Sequence, residues 1–167
     1  MRAVDYRDCL KRGCAKLELE RDSKEGIIAE LVDLLRAEGR IENRDAVLRA
    51  VLERERQMST GMQHGIAIPH AKTEAVDRIV TALALKRGGV DFDALDGKPS
   101  KFFLLMISPV RLGPQHLEVL SDVSKVLSHP DVRKRLLKAK TGQDLIDILT
   151  ADAAGDKQGG PAARGAS

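Results

Sequence analysis

The chain has 167 residues, a formal net charge of +3 and a mean hydropathy of −0.24. That length suits a single domain with one sizeable core. Aromatic residues make up 2% of the chain, and 28 Lys and Arg nearly balance 25 Asp and Glu. The composition therefore excludes base-stacking nucleic-acid modules and polybasic nucleic-acid binders. No apolar run approaches the ~20 residues that span a bilayer, so we expect a cytoplasmic protein without direct membrane insertion.

Both ends of the chain differ from the middle. Residues 1–13 mix charges with no apolar period, which predicts a flexible lead-in and no signal peptide. Residues 151–167 are rich in Ala, Gly, Asp and Lys, which predicts a disordered tail. The domain is therefore expected over residues 14–150. The spacing of Cys9 and Cys14 is not that of a zinc site. In a reducing compartment we expect both to be free thiols, and the sequence assigns them no role.

Two helices are predicted in the first half of the domain, after an edge strand at 16–20 in which polar and apolar residues alternate. Asp22 and Glu25 form a capping box that starts the first helix, and Gly39 ends it. Asn43 caps the second helix. Apolar residues at helical spacing form the buried faces. They are Ile27, Ile28, Leu31, Leu34 and Leu35 in the first helix, and Val47, Leu48, Val51 and Leu52 in the second.

Three strands are predicted in the middle of the chain. The first, at 66–68, is stopped by Pro69 because proline has no N–H to donate. His70 is therefore expected at the end of a strand, on constrained backbone. The second strand covers 79–85 and is broken by the two glycines that follow. The apolar run at 101–107 is typical of a central strand covered on both faces.

The last part of the domain is predicted to be helical. Pro114 suits the first turn of a helix and puts His116 near its N-terminus. A basic helix begins at Pro130, and Thr141 with Asp144 starts the last one. The buried face of the helix that contains His116 should comprise Leu117, Leu120, Val123, Val126 and Leu127. Helices on both sides of the strands predict a single α/β domain with a mixed β-sheet.

Several short motifs match one known signature. They are Arg54-Glu55, Ser59-Thr60-Gly61, Gly65-Ile66-Ala67-Ile68-Pro69-His70, Asp91-Phe92, Asp96-Gly97, Pro109 and His116-Leu117. Together they resemble the phosphorylation-site signature of enzyme IIA of the bacterial phosphoenolpyruvate-dependent phosphotransferase system, of the fructose, mannitol and nitrogen-regulatory type. The resemblance covers about residues 14–150 and implies the mannitol/fructose-type enzyme IIA fold.

The resemblance implies a phosphocarrier that needs no ATP and no bound cofactor. The carrier protein HPr, phosphorylated from phosphoenolpyruvate through enzyme I, would pass its phosphoryl group to His70. The chain would then pass it to an enzyme IIB component for sugar uptake, or keep it as a regulatory signal. His70 would be the phosphorylated nucleophile, and His116 and Arg54 would stabilise the phosphoryl group.

The chemistry of these three side chains agrees with such roles. An imidazole with a pKa of ~6.5 is mostly neutral at pH 7, as attack on phosphorus requires. His116 is expected just inside a helix N-terminus, where backbone amides favour an anion. Arg54 lies near the end of its helix and can offer a planar, permanently charged fork to phosphoryl oxygens.

Three alternatives are compatible with the sequence. A regulatory nitrogen-type enzyme IIA, with no IIB or IIC component fused to it, would act by phosphorylation-dependent partner binding, and the basic residues within 133–138 offer a docking surface. His64, His70 and His116 are a candidate zinc set, although Arg54 would oppose a cation. A degenerate domain would bind partners without chemistry, which the joint presence of His70, His116 and Arg54 disfavours.

The turn before the first short strand contains two further points of interest. His64 is expected to be an exposed turn residue. The alternatives are a zinc ligand and a residue that supports His70. Gln63 occupies a position where we expect Gly in many relatives. The sequence therefore does not determine the backbone conformation of this turn or how a phosphate would approach it.

Overall fold

The computed structural model describes residues 4–151. Its five-stranded sheet contains β1 (Cys14–Lys16), β2 (Ile66–Ala67), β3 (His70–Lys72), β4 (Val80–Val90) and β5 (Ser100–Ser108). The helices are α1 (Tyr6–Arg12), α2 (Lys24–Ala37), α3 (Arg44–Gln57), α4 (Gly113–Leu127) and α5 (Pro130–Leu137). A last helix, α6, covers 142–151, and a 3₁₀ turn, Val110–Leu112, precedes α4. Within residues 4–151, no helix is both long and apolar enough to cross a bilayer.

Strand β5 lies in the middle of the sheet. It pairs antiparallel with β4 on one side and parallel with β2 and β3 on the other. Strand β1 pairs parallel with β4 at the far edge, two residues earlier in the chain than predicted. Residues 102–108 are all buried, as a strand covered on both faces requires. The arrangement confirms the predicted mixed sheet and its central apolar strand.

Helices cover both faces of the sheet, as predicted. Helices α2 and α3 cover one face, where Phe103 and Leu105 of β5 join the core. Helices α1, α4, α5 and α6 cover the other face, where Leu104 and Met106 join a second core. Because successive side chains of a strand point to opposite faces, β5 contributes to both cores. The chain is thus a three-layer α/β domain.

The predicted flexible lead-in at 1–13 is wrong where the chain forms α1. Asp5 caps this helix, and its carboxylate accepts a backbone hydrogen bond at 2.9 Å. Tyr6, Cys9 and Leu10 are buried in the core that also contains the apolar face of α4. A seven-residue helix has too little intrinsic stability to form alone. Packing against the sheet and α4 therefore orders this segment.

The two cysteines and the predicted tail lie near the two ends of the chain. Cys9 and Cys14 are free and buried. Burial raises the pKa of the Cys14 thiol to about 11, which disfavours thiolate chemistry there. The predicted disordered tail at 151–167 lies outside the described residues except for residue 151, which is helical.

Local capping signals locate several helix ends, whereas α4 and α5 begin without a side-chain cap. Asn43 caps α3 by accepting a hydrogen bond from the backbone N–H three residues on, at 3.0 Å. Gly39 follows the end of α2 with a φ of 71°, which glycine adopts without strain. The start of α2 is one residue later than predicted, because Ser23 rather than Asp22 is the N-cap.

Two predictions about individual segments are wrong. Gly88 and Gly89 do not end a strand, because β4 continues to Val90 and resumes its ladder with β5 after a register shift. Leu117, expected on the buried face of α4, is 63% exposed. The buried stripe of that helix passes through His116 instead.

Candidate active site

His70, expected at the end of the strand at 66–68, is instead the first residue of β3, directly after Pro69. Pro69 lies between β2 and β3, which pair with successive parts of β5. The Pro69 carbonyl accepts a hydrogen bond from the Met106 N–H at 3.0 Å. The His70 Nδ1 lies 2.8 Å from the Ile68 carbonyl oxygen. Because a carbonyl only accepts, this Nδ1 carries a proton, and in the neutral ring Nε2 keeps a lone pair.

His116 lies in the first turn of α4, next to His70. It is 2% exposed, and its Nδ1 lies 2.7 Å from the Oγ of Ser108 at the end of β5. Its Nε2 is buried and has no hydrogen-bond partner within residues 4–151. The ring centroids of His70 and His116 are 5.3 Å apart, and the planes are tilted by 56°. A buried and unsatisfied nitrogen therefore lies on a residue whose ring contacts His70.

Arg54 approaches the two histidines from the last turn of α3. Its Nη1 donates to the Met58 carbonyl at 2.9 Å, which holds the guanidinium near the helix end. Arg54, His70 and His116 line one pocket of about 400 Å³, together with Lys72. The structure thus brings the three predicted site residues together at the open edge of the sheet, between α3 and α4.

Burial and nearby cations keep both rings neutral. Burial lowers the pKa of His116 to about 4, and the positive charges around it act in the same direction. Burial also lowers the pKa of His70; Arg54 and Lys72 lower it further, while the Ile68 carbonyl opposes the change. At pH 7 the fixed positive charge in the pocket therefore comes from Arg54 and Lys72, and both suit a phosphoryl group.

Residues 8–152 match the family model described as EIIA 2 of the phosphoenolpyruvate-dependent sugar phosphotransferase system. The chain belongs to this family. A PTS system fructose-specific EIIA component of Haloferax volcanii is 46% identical over 133 residues, which cover 80% of this chain and 86% of that protein. A nitrogen regulatory protein of Pseudomonas aeruginosa is 30% identical over 140 residues, which cover 84% and 91%.

A solved structure extends the comparison to the fold. The crystal structure of the nitrogen regulatory protein IIA-Ntr from Neisseria meningitidis has a TM-score of 0.75 and 31% sequence identity with this chain. The match covers 81% of this chain and 92% of that one. The family and the fold expected from the sequence motifs are therefore confirmed.

His64 lies outside the residues that line this enzyme IIA pocket. It is exposed, with a φ of 65°, and its backbone N–H donates to the Asp96 carboxylate at 3.2 Å. Gln63 beside it is exposed as well. Among residues 4–151, no group of three or more His, Cys, Asp or Glu side chains could hold a metal ion. The zinc set of His64, His70 and His116 is therefore not assembled.

Glu55 has a structural role that the sequence analysis did not assign. It is 6% exposed, and its carboxylate accepts hydrogen bonds from the Thr60 N–H at 2.7 Å and the Thr60 hydroxyl at 2.6 Å. The Lys24 Nζ lies 2.9 Å from the same carboxylate. The sequence does contain a signal for the burial of Glu55, because this residue follows the apolar Val51 by four positions and so lies on the same face of the helix.

The turn at 59–61, between α3 and β2, packs against the loop at 91–94, which follows β4. The Ser59 hydroxyl donates to the Phe92 carbonyl at 2.8 Å, and the Gly61 N–H donates to the Ser59 Oγ at 3.0 Å. A Cβ on Gly61 would lie 2.8 Å from the Ala94 Cα. Only glycine therefore allows this approach, and the family motifs at 59–61 and 91–92 meet here. Together with Glu55, these contacts position the segment that leads to His70.

Proposed function

We propose that the chain is a phosphocarrier that accepts a phosphoryl group on Nε2 of His70. The fixed tautomer of His70 carries this proposal, because Nδ1 bonds the Ile68 carbonyl at 2.8 Å and the Nε2 lone pair is left for attack on phosphorus. The donor would be HPr phosphorylated on histidine. The bond from phosphorus to the donor nitrogen breaks as the bond to Nε2 forms, and the electron pair returns to the donor ring. The transfer needs no ATP and no bound cofactor.

His116 and Arg54 would stabilise the transferred group. The buried Nε2 of His116 has no partner in the described part of the chain, and a phosphoryl oxygen would satisfy an N–H at that position. Arg54 lines the same pocket and would add a charge-assisted hydrogen bond. Phosphoryl transfer depends mostly on positioning and on charge stabilisation of this kind.

The next acceptor would be an enzyme IIB component, in the service of sugar uptake. The identity of 46% with a fructose-specific EIIA component, against 30% with a nitrogen regulatory protein, supports this choice. A regulatory role is the second candidate, because a nitrogen regulatory protein shares the fold at 31% identity. Rapid transfer from the phosphorylated chain to a fructose-type enzyme IIB would favour sugar uptake, and its absence would favour regulation. Both functions place the chain in the cytoplasm, a prediction that cell fractionation checks.

A phosphorylation assay tests the carrier function. The chain is incubated with phosphoenolpyruvate, enzyme I and HPr, and its intact mass is measured. We expect an acid-labile, base-stable phosphoryl adduct on the wild type and none on His70→Gln. His64→Asn is the matched control, because asparagine tolerates the φ of 65° at this exposed position, and it should be phosphorylated normally. An unmodified wild type in the presence of active donors would contradict the proposal and favour a binding domain without chemistry.

A further inference from the structure

Ser108 makes the only described hydrogen bond to the His116 ring within residues 4–151. It is the last residue of β5 and is 0% exposed. Its backbone carbonyl accepts a hydrogen bond from the Thr73 N–H at 2.8 Å, and its Cα pairs with Lys72 in the strand ladder. The Ser108 side chain is therefore anchored from the sheet, while the His116 ring comes from α4. The 2.7 Å contact between Oγ and Nδ1 joins these two elements.

The position of one proton on His116 decides what its Nε2 can do. Burial lowers the pKa of His116 to about 4, so the ring carries a single N–H near neutral pH. If the proton is on Nε2, that atom is a donor for phosphoryl oxygens. If it is on Nδ1, Nε2 presents a lone pair, which repels them. The two tautomers therefore have opposite effects on a phosphoryl group at His70.

The hydrogen bonds around Ser108 favour the first tautomer. The buried Ser108 hydroxyl has one proton to donate, and His116 Nδ1 is its only acceptor among the described residues. Both arrangements leave one buried donor and one buried acceptor unmet, because a hydroxyl that only donates leaves its own lone pairs without a donor. The length of the contact favours the hydroxyl as the donor: 2.7 Å is typical of hydroxyl-donated hydrogen bonds, whereas N–H donors mostly lie ~2.9–3.0 Å from oxygen. The lone pair of a neutral imidazole nitrogen is also a stronger acceptor than a hydroxyl oxygen.

We propose that Ser108 is a positioning residue whose hydroxyl donates to Nδ1 of His116 and thereby fixes the ring proton on Nε2. His116 is then a ready hydrogen-bond donor before any phosphoryl group arrives. The unmet Nε2–H gains its acceptor when His70 is phosphorylated, so the contact with Ser108 favours the phosphorylated state. This consequence for transfer rests on the proposed function, whereas the tautomer itself does not.

The tautomer can be measured in the unphosphorylated full chain. Histidine ring nitrogens are labelled with ¹⁵N, and the long-range proton–nitrogen NMR pattern distinguishes a protonated from an unprotonated ring nitrogen. His116→Gln identifies the His116 signals. We expect protonated Nε2 and unprotonated Nδ1 in the wild type, a mixture of tautomers in Ser108→Ala, and the wild-type pattern in Ser108→Thr, which keeps the hydroxyl. Protonated Nδ1 in the wild type would overturn the proposal without any variant.

Ser100→Ala is the matched control. Ser100 begins the same strand, is also 0% exposed, and its Oγ has no hydrogen-bond partner among residues 4–151. Its loss should leave the His116 tautomer unchanged. An unchanged tautomer in Ser108→Ala, with thermal unfolding showing a folded protein, would contradict the proposal, because the hydroxyl would then not control the proton.

The effect on transfer is measured separately, with phosphorylated HPr as the donor. We expect Ser108→Ala to accept the phosphoryl group about tenfold more slowly, less than the roughly hundredfold loss when a donor is removed outright. Ser108→Thr should recover most of the rate and Ser100→Ala all of it. If the wild type shows the expected tautomer but is never phosphorylated, the proposed function fails and the role of Ser108 in setting the tautomer stands. A wild-type transfer rate in Ser108→Ala would overturn the role in transfer.

Discussion

The imidazole rings of His70 and His116 lie with their centroids 5.3 Å apart, and each ring is held through its Nδ1. The oxygen that holds His70 is the Ile68 carbonyl, and the oxygen that holds His116 is the Ser108 hydroxyl. In both rings Nε2 is the nitrogen that remains for other partners. The first residue of β3 and the first turn of α4 therefore present two oriented, neutral imidazoles to one another.

Acidification should destabilise the fold through His116. Its pKa in the folded chain is about 4, against about 6.5 when unfolded. The unfolded chain therefore binds more protons between these values, so the contribution is fully present above pH 6.5 and is lost as the pH falls toward 4. At about 1.4 kcal/mol per pH unit, the loss is about 3 kcal/mol. The lowered pKa of His70 adds to it in the same direction.

Urea unfolding at pH 7 and pH 4.5 checks this prediction. The decrease in unfolding free energy should be about 2 kcal/mol smaller in His116→Gln than in the wild type, because the variant has no imidazole to protonate at this position. Each protein is compared with itself at the two pH values, so any constant effect of the substitution cancels. Equal decreases in the two proteins would show that His116 is not the buried neutral group.

Replacement of Arg54 should impair phosphoryl transfer much more than stability. Arg54→Gln removes one of the two fixed positive charges that line the pocket with His70, and we expect transfer from phosphorylated HPr to slow by about 10²-fold. The lost bond to the Met58 carbonyl is exposed and should cost about 1 kcal/mol of stability or less. Arg56→Gln, in the same helix turn but exposed and outside this pocket, should transfer normally. Equal rates for the two variants would remove Arg54 from the site.

Glu55→Gln should lower the stability of the domain by about 2 kcal/mol. The buried carboxylate accepts two hydrogen bonds from Thr60 and pairs with Lys24 at 2.9 Å. An amide cannot accept at both of its ends, and it leaves the ammonium without its main counter-charge. Chemical denaturation measures the loss, and Glu53→Gln, an exposed position on the same helix, should change stability by no more than ~0.5 kcal/mol. A stability equal to that of the wild type would show that the buried carboxylate is dispensable.

Gly61→Ala should also destabilise, by about 1–3 kcal/mol, because the added methyl group would lie 2.8 Å from the Ala94 Cα and 3.0 Å from the Phe92 carbonyl oxygen. Both neighbours are backbone atoms, so relief requires a shift of the loop. Gly88→Ala is the control, since no atom lies within 4 Å of its added Cβ. Thermal unfolding of the two variants decides the matter, and equal midpoints would mean that the 59–61 turn can move away freely.

The amino-acid sequence by itself determined the features that depend on neighbouring residues. Asn43 bonds an N–H three residues away, and Thr141 and Asp144 bond each other across the same spacing. Pro69 stops a strand through its own missing N–H. The continuous apolar run of β5 predicts burial on both faces without reference to any partner. For the same reason, the helix start that presents His116 was predictable. His70, expected at the end of the strand at 66–68, instead begins the next strand, β3.

The tertiary structure decided what depends on residues far apart in the chain. Helix α1 forms because Tyr6, Cys9 and Leu10 find a core built by later elements, and local propensity gives no signal of that. The pairing of Glu55 with Lys24 and of His116 with Ser108 likewise joins residues on different elements. A local hydrogen bond needs only a few fixed dihedral angles, whereas these contacts exist only after the whole domain has closed around them.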